Sequence, residues 1–163
     1  MNQDSIIATW TKYPTGKIPK GTFCEHCGRF NARNMTVTTL VLNQKNEILL
    51  IKRARDPQAG WWALIGGYVD WDETLEQCSL RELKEEAQIT VDHTTFFKVY
   101  DALNRDKDGR QNIDLAFIVR VSSNNFTAEK NEVSEARWFS LNHLPKNIAF
   151  DHRLMIDDYK KTV

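Results

Sequence analysis

The sequence predicts an α/β protein in which a sheet is accompanied by helices. Two observations support this class. Several segments of strand length alternate Val, Leu or Ile with polar residues, and an uninterrupted helical pattern follows the first of these segments. A second helical pattern lies near the end of the sequence, so the predicted order of elements is strands, helix, strands, helix.

The length and charge of the chain limit the functions that it can serve. Its 163 residues suggest one domain with a sizeable core. Lys and Arg number 22, and Asp and Glu also number 22, so net charge gives no general affinity for nucleic acid or for an anionic membrane. The sequence has no signal-peptide pattern and no apolar run of about 18 residues. Its three cysteines then suggest reduced thiols in a cytoplasmic protein.

We predict an N-terminal extension, 1–34, followed by the main domain, 35–163. The extension is punctuated by Pro and Gly residues. Within it, Cys24 and Cys27 form a C-x2-C knuckle of the kind that supplies two thiolates to a structural zinc ion. No second C-x2-C occurs in the sequence, so such a site needs His26, another side chain or a second subunit. The alternative is a pair of ordinary reduced thiols.

The main domain is predicted to begin with a hairpin of two strands, 35–43 and 47–53. Both segments alternate apolar and polar residues around a polar turn. The chain then leaves the sheet as a loop that carries Arg53 and Arg55. Guanidinium groups match phosphate oxygens, so these two residues are candidates to bind substrate phosphates, although each is equally well explained as a surface or structural arginine.

A further short strand is predicted at 61–65, where the sequence is rich in aromatic and aliphatic residues. This strand leads into Gly66 and Gly67, where the absence of side chains lets the backbone approach a ligand closely. A loop then feeds the principal helix.

That helix is predicted to run from Asp72, a good N-cap, to Ala87, with no Gly or Pro between them. At about 100° per residue, Leu80 and Leu83 share a face with Ala87. We expect this face to be buried in the core.

Three carboxylates converge on another arc of the helix, namely those of Glu82, Glu85 and Glu86. Like charges one turn apart destabilise a helix by about 0.2–0.5 kcal/mol per pair, and the nearby Arg81 and Lys84 are expected to point elsewhere. A divalent cation removes this conflict, and carboxylates that leave coordination positions open suit Mg²⁺ or Mn²⁺. The alternative explanation is a solvated acidic face.

The second half of the chain predicts three more strands and a final helix. The strands are placed at 96–102, 112–121 and 135–139, with a polar, mobile loop at 104–111 that could close over a ligand. The final helix is predicted to be capped by Asp151. Its expected inward-facing residues are Leu154, Met155 and Tyr159.

The stretch from Gly67 to Ile89 resembles the Nudix box, G-x5-E-x7-R-E-U-x-E-E-x-G-U, in which U is aliphatic. The matching positions, in order, are Gly67, Glu73, Arg81, Glu82, Leu83, Glu85, Glu86 and Ile89. Gln88 stands where the family has Gly, and Ile65 stands where Pro is common. A residue with a Cβ reaches the left-handed conformation of a helix-terminating Gly at a cost of about 1–2 kcal/mol, so we expect the helix to end differently here.

The resemblance implies an α/β/α sandwich with a mixed β-sheet and a metal-dependent pyrophosphohydrolase. The metal ion would be Mg²⁺ or Mn²⁺, and its ligands would be the carbonyl of Gly67 and the carboxylates of Glu82, Glu85 and Glu86. Glu85 and Glu86 are also expected to be catalytic. Glu73 and Arg81 are expected to brace the loop against the helix. The family often takes a general base from outside the box, and Glu132 is our candidate, with Glu135 as the alternative.

The substrate is expected to be a small nucleotide, with no nucleic acid or membrane partner. Short patches around the box resemble the branch that hydrolyses ADP-ribose and nucleotide sugars. Candidate platforms for stacking a base are Trp61, Trp62, Tyr68, Trp71 and Tyr100, of which we expect one or two at the site and the rest in the core, with Tyr68 assigned to substrate. His152 is expected to be structural. The alternatives are a nucleoside triphosphate pyrophosphohydrolase and a non-catalytic nucleotide-binding module, and a homodimer is allowed.

Overall fold

The structure is a computed structural model that describes residues 23–24, 29–30, 33–103, 105, 112–128 and 132–163. For 23–24 and 29–30 it describes the backbone alone. The side chains of the predicted C-x2-C knuckle and all but one residue of the predicted loop at 104–111 therefore lie outside the described residues.

The described residues form nine strands and two helices. The strands are β1 (Phe23–Cys24), β2 (Arg29–Phe30), β3 (Met35–Leu42), β4 (Glu47–Arg53), β5 (Trp62–Ala63), β6 (Ile65–Tyr68), β7 (Thr95–Tyr100), β8 (Ile113–Arg120) and β9 (Val133–Ser140). The helices are α1 (Leu75–Ala87) and α2 (His152–Lys160). Apart from the segment at 61–65, the predicted strands and helices are thus present, with ends that differ by a few residues.

Seven of the strands form one mixed sheet, as predicted. Its main path is β5-β4-β3-β8-β7, with β6 also paired to β3 and β9 also paired to β4. The β3–β8 pair is parallel from Met35↔Ile113 to Leu42↔Arg120, and the other pairs in this sheet are antiparallel. β1 and β2 form a separate antiparallel pair.

The helices cover opposite faces of this sheet, which confirms the α/β/α sandwich. On one face Val41 and Leu49 pack in a cluster with Leu83 and Ala87 of α1. On the other face the cluster includes residues of β3, β4 and α2, namely Leu40, Leu42, Ile48, Leu50, Met155, Ile156 and Tyr159. The central strands are therefore buried on both faces, which is why polar residues such as Thr39 are fully buried.

The prediction of one strand at 61–65 was wrong, because the segment divides between two partners. β5 pairs with β4 through Trp62 and Ala63, whereas β6 pairs with β3. Leu64 lies between β5 and β6, and its backbone N–H donates to Nδ1 of His152 at 3.0 Å. The switch from one neighbouring strand to another brings the two glycines to the centre of the sheet.

The N-cap of α1 was also predicted wrongly. Thr74, and not Asp72, is the cap: its hydroxyl accepts from the backbone N–H of Gln77, and the side chain of Gln77 accepts from the backbone N–H of Thr74. This reciprocal capping box satisfies two N–H groups at the helix start. Of the predicted inward face, Leu83 and Ala87 are fully buried and Leu80 is partly buried.

The C-terminal end of α1 was expected to differ from that of a helix terminated by Gly, and it does not. Gln88 itself adopts the left-handed conformation, with φ 54° and ψ 31°, so the helix ends in the conformation that a Gly would have taken. Its backbone N–H bonds to the carbonyls of Leu83 and Lys84. Tertiary packing on both sides of this residue outweighs the backbone cost of its Cβ.

Two details of α2 differ from the prediction. Leu154 is 50% exposed, whereas Met155 and Tyr159 are buried as expected. Asp151 occupies the N-cap position but makes no capping hydrogen bond, because its carboxylate accepts from the guanidinium of Arg105 instead. Neither described helix has the length and apolar character needed to span a lipid bilayer.

Candidate active site

The site is built where β6 passes beneath α1. A Cβ on Gly67 would lie 2.1 Å from Oε1 of Glu82, and a Cβ on Gly66 would lie 2.1 Å from the carbonyl oxygen of Val37. Gly66 therefore needs to be glycine, because backbone atoms are in the way, whereas a side chain at Gly67 would have to displace the carboxylate of Glu82. The backbone N–H of Gly66 donates to Oε2 of Glu86 at 3.1 Å, and this hydrogen bond holds the carboxylate against the sheet.

The three carboxylates of α1 are not equivalent in the folded chain. Glu82 and Glu86 are buried, at 8% and 9% exposure, whereas Glu85 is largely exposed. Burial raises the pKa of Glu86 to about 8, and the charges of Glu82 and Glu132 act in the same direction. Burial also raises the pKa of Glu82. Buried carboxylates with raised pKa values are common at functional sites, where a bound cation or a proton compensates the buried charge.

Arg81 does not point away from these carboxylates, and that expectation was wrong. Its Nη1 donates to Glu82 at 2.7 Å and to Glu85 at 3.0 Å. Its Nε and Nη2 bind both oxygens of Glu73, at 3.0 and 2.7 Å, and Nη2 also donates to the carbonyl of Tyr68. A planar guanidinium can serve several oxygens at once, so Arg81 joins the loop after β6 to the helix.

The bidentate contact from Arg81 holds the pKa of Glu73 down at about 2. Oε1 of Glu73 also accepts a hydrogen bond from the backbone N–H of Asp70, and this contact adds to the brace. The geometry is that of a loop clamp, in agreement with the bracing expected for Glu73 and Arg81.

Among the described residues, no three His, Cys, Asp or Glu side chains are grouped so that they could hold a metal ion as they stand. Glu82 and Glu85 instead share Nη1 of Arg81. The donor set nevertheless fits a divalent cation, because that nitrogen already places positive charge between two carboxylates. Glu86, buried and carrying a raised pKa, supplies a third carboxylate one turn away.

The two candidates for a general base occupy different environments. Glu132 lines the same cavity as Glu86, and its carboxylate lies 3.3 Å from Nη1 of Arg55. Glu135 pairs with Lys52 and with Arg137 on the exposed side of β9. The geometry therefore brings Glu132 to the site and leaves Glu135 away from it.

Glu86 and Glu132 line a cavity of about 240 Å³. Its lining residues include Glu86, Glu132, Arg53 and the two glycines, a group that we call the near end. Nε of Arg53 donates to the carbonyl of Pro57, and its guanidinium stacks 4.9 Å from the ring centre of Phe150. Arg53 is thus held in place at the cavity, whereas Arg55 reaches it through Glu132.

A second group of residues that line the cavity, which we call the far end, was missed by the sequence analysis. Its polar residues are Thr36 and Thr38 of β3, Asp114 of β8 and Arg105. Burial raises the pKa of Asp114 to about 6. The only sequence signal was a carboxylate placed within an apolar strand, which by itself could not identify its partners.

The predicted aromatic platforms divide between core and surface. Trp62 and Tyr100 are buried in the core cluster, and Trp61 and Trp71 are exposed. Tyr68 lines the cavity and is 45% exposed, so it is the platform placed at the site. His152, which accepts from Leu64, is buried, and burial lowers its pKa to about 4, in agreement with a structural role.

The glycines of β6 and the carboxylate of Glu86 on α1 meet at one cavity, an arrangement suited to metal-assisted hydrolysis in an α/β protein. Residues 32–159 match the family described as NUDIX domain. The chain belongs to this family, which confirms the resemblance and the prediction of a Nudix pyrophosphohydrolase.

Individual relatives support the same assignment. The chain is 39% identical to an ADP-ribose pyrophosphatase of Methanocaldococcus jannaschii over 121 residues, which are 74% of this chain and 70% of that protein. It is 27% identical to the NAD-capped RNA hydrolase NudC of Chromobacterium violaceum over 138 residues, covering 83% of this chain and 50% of the relative. The chain thus spans about half the length of that second relative.

The fold also resembles solved structures. One is a MutT NUDIX hydrolase from Burkholderia pseudomallei, with a TM-score of 0.70 and 27% identity. The comparison covers 78% of this chain and 98% of that one. The predicted fold class is confirmed by this likeness.

Proposed function

We propose that the protein hydrolyses the pyrophosphate bond of a nucleoside diphosphate linked to a further group, with ADP-ribose as the leading substrate. The products are a nucleoside monophosphate and a phosphorylated second product. The observation that carries this proposal is the buried Glu86, which is hydrogen-bonded to Gly66 and shares one cavity with Glu132. The similarity to an ADP-ribose pyrophosphatase supports the choice of substrate.

The carboxylates of Glu82, Glu85 and Glu86, with the carbonyl of Gly67, would hold Mg²⁺ or Mn²⁺. When bound, the ion supplies positive charge to the pyrophosphate oxygens and acidifies a water molecule. For this to happen Glu82 and Glu85 must exchange their contacts with Arg81. Arg81 remains anchored through Glu73 during that exchange, because two of its nitrogens bind Glu73.

Glu132 takes the proton of the attacking water in this proposal. Its carboxylate lies 3.3 Å from Nη1 of Arg55 and lines the cavity, which places it within reach of a water molecule bound there. Arg53 and Arg55 lie next to Glu86 and Glu132, where they can neutralise phosphate oxygens of the substrate. Tyr68 lies over the cavity, where its exposed ring can contact the nucleoside.

The first experiment measures release of mononucleotide from ADP-ribose, nucleotide sugars, NAD-type dinucleotides and nucleoside triphosphates. Each substrate is tested with Mg²⁺, with Mn²⁺ and with a chelator. The expected result is chelator-sensitive release of AMP from ADP-ribose. Faster turnover of triphosphates, or tight binding of ADP-ribose without turnover, would replace the proposal by one of its two alternatives.

Glu86→Gln provides the variant for the same experiment. The amide keeps the shape and one acceptor for Gly66 but removes the charge, so we expect loss of at least about 100-fold in kcat with the fold retained. Glu135→Gln makes the same chemical change outside the cavity and should leave kcat unchanged. An active Glu86→Gln enzyme would contradict the assignment of the metal ligands.

The proposal also includes the division into two parts, a zinc site and a cytoplasmic homodimer, and each of these has its own test. The division into 1–34 and 35–163 predicts that a protein lacking the extension retains the family domain. Zinc at Cys24 and Cys27 predicts metal in the protein purified without chelators, measured by elemental analysis. A cytoplasmic homodimer is tested by the mass of the protein in solution and by its location in cells.

A further inference from the structure

Phe150 adopts a backbone conformation that a bulky side chain seldom takes. Its φ is 54°, in the left-handed region, where a residue with a Cβ is strained. The residues before it pair with β5, since Ile148 bridges to Trp62 and the backbone N–H of Ala149 donates to the carbonyl of Trp62 at 2.7 Å. The turn from this pairing into α2 falls at Phe150. A glycine would make the same turn without strain but would bring no ring to this place.

A side chain 92 residues earlier holds Phe150 in this conformation. Oε1 of Gln58 accepts a hydrogen bond from the backbone N–H of Phe150 at 2.8 Å. Gln58 is itself left-handed, with a φ of 62°, and it is partly buried. Gln58 is not one of the described residues that line the cavity, whereas Phe150 is. The hydrogen bond therefore joins the loop after β4 to the wall of the cavity.

The ring placed in this way contacts Arg53, which also lines the cavity. Cζ of Arg53 lies over the ring of Phe150, 4.9 Å from its centre, within the range in which a cation is attracted to an aromatic face. Nε of Arg53 donates to the carbonyl of Pro57 at 2.8 Å, and Nη2 donates to the carbonyl of Arg55 at 3.4 Å. The two carbonyls contact the edge of the guanidinium and the ring contacts its face, so three contacts together define the orientation of this planar group.

We propose that Gln58 is a positioning residue for the reaction: by holding Phe150 in its left-handed conformation, it keeps the guanidinium of Arg53 oriented for the phosphate groups of the substrate. This inference rests on the proposed function, in which Arg53 neutralises phosphate oxygens. Arg53 and Glu86 line the same cavity, so a guanidinium fixed in its wall meets the phosphates beside that carboxylate. A group that is oriented before the substrate arrives spares binding the cost of ordering it. Gln58 itself does not touch the substrate in this arrangement.

The test measures binding of ADP-ribose by calorimetry in the presence of chelator, so that a metal-dependent reaction does not consume the ligand. Gln58→Met keeps the length and the Cβ of the side chain but removes the carbonyl acceptor. We expect the dissociation constant to rise at least about fivefold. Gln44→Met, the same change at an exposed turn residue, should bind as the unaltered protein does. Equal dissociation constants for Gln58→Met and the unaltered protein would overturn the inference.

A double-mutant cycle distinguishes positioning from a general effect on the fold. Arg53→Met removes the cation, and we expect the dissociation constant to rise at least about tenfold. If Gln58 acts through Arg53, adding Gln58→Met to that variant should weaken binding by less than about twofold more. Arg53→Lys keeps the charge but lacks the planar group, so it provides a second background with the same expectation. The full penalty of Gln58→Met in both backgrounds would mean that Gln58 acts on the fold and not on Arg53.

The same measurements separate this inference from the proposed function. If ADP-ribose binds with the expected cycle but is not hydrolysed when Mg²⁺ or Mn²⁺ is added, the positioning role stands and the proposed reaction fails. If ADP-ribose is hydrolysed but the substitutions at Gln58 and Arg53 act independently, the reaction stands and the role of Gln58 fails. Absence of binding in chelator would also overturn the inference, because an oriented Arg53 gives an affinity for phosphate that needs no metal ion.

Discussion

At the residue scale, the lack of a side chain at Gly67 leaves room for the carboxylate of Glu82, which occupies the space that a Cβ would need. The same scale of detail governs the rest of the site: one N–H orients Glu86, and one guanidinium nitrogen joins Glu82 to Glu85. Changes of a single atom or group at these residues should therefore have large effects on activity.

Gly67→Ala places a methyl group 2.1 Å from Oε1 of Glu82. Something must move, and we expect Glu82 to be displaced, with loss of at least about tenfold in kcat and about 1–3 kcal/mol in the free energy of unfolding. Gly60→Ala serves as the contrast, because its φ of +80° adds backbone strain in open space away from the site. That variant should be destabilised and active, whereas an equally active Gly67→Ala would show that Glu82 is dispensable.

At the scale of secondary structure, helix α1 presents the carboxylates, and its two ends are defined by different forces. The N-terminal end depends on the capping box of Thr74 and Gln77. The C-terminal end depends on a left-handed Gln88 that two backbone hydrogen bonds hold in place. The helix ends thus contribute stability that can be measured separately.

Gln88→Gly should stabilise the protein. The left-handed conformation costs a residue with a Cβ about 1–2 kcal/mol, and part of that gain is offset by the greater freedom of Gly in the unfolded chain. We expect the free energy of unfolding to rise by about 1 kcal/mol, measured by denaturant titration. Gln88→Ala retains the Cβ and should give no such gain, and a destabilised Gln88→Gly would mean that the side chain makes a compensating contact.

Thr74→Ala tests the N-terminal cap. It removes the acceptor for the N–H of Gln77, 3.2 Å away, and should lower the free energy of unfolding by about 1 kcal/mol. Asp72→Ala changes the residue that the sequence had favoured as the cap. Because Asp72 lies outside the capping box, that variant should have little effect, and the reverse order of the two effects would restore the original prediction.

At the scale of the whole molecule, polar contacts as well as apolar packing fix the position of α2 on the sheet. His152 accepts from Leu64 at the break between β5 and β6, and Asp151 binds Arg105. The apolar face of the helix adds Met155, Ile156 and Tyr159 to the core. The position of α2 therefore also shapes the far end of the cavity.

The neutral, buried His152 makes this arrangement sensitive to acid. Its pKa is about 4 in the folded protein, against about 6.5 for an unperturbed histidine, because burial disfavours the charged form. The unfolded chain therefore binds the proton first, so the stabilising contribution is complete above pH 6.5 and is lost as the pH falls towards 4.

The measurement compares denaturant unfolding of the unaltered protein with His152→Asn, which keeps an acceptor for Leu64. The stability advantage of the unaltered protein should shrink by about 3 kcal/mol between pH 7 and pH 4. His143→Asn, an identical change at an exposed position, shows whether loss of any histidine has this effect. An advantage for His152 that does not vary with pH would mean that its charge state is the same in both states.

The sequence by itself determined most of the elements and the placement of the carboxylates on α1. Alternation and helical periodicity predicted the strands and both helices, because these signals depend on neighbours a few residues apart. The spacing of glycine, glutamate and arginine around α1 predicted the family and the carboxylates for the same reason. A local pattern, however, could not choose between Asp72 and Thr74 as a cap, since both residue types favour that position.

Only the tertiary structure decided where long side chains and distant partners meet. It turned Arg81 towards Glu82 and Glu85, divided the segment at 61–65 between two strands, and placed Asp114 beside Thr38, 76 residues earlier in the chain. Such contacts depend on strand order and on burial, which no short stretch of sequence encodes. The carboxylate helix is therefore a property of the sequence, and the far end of the cavity is a property of the fold.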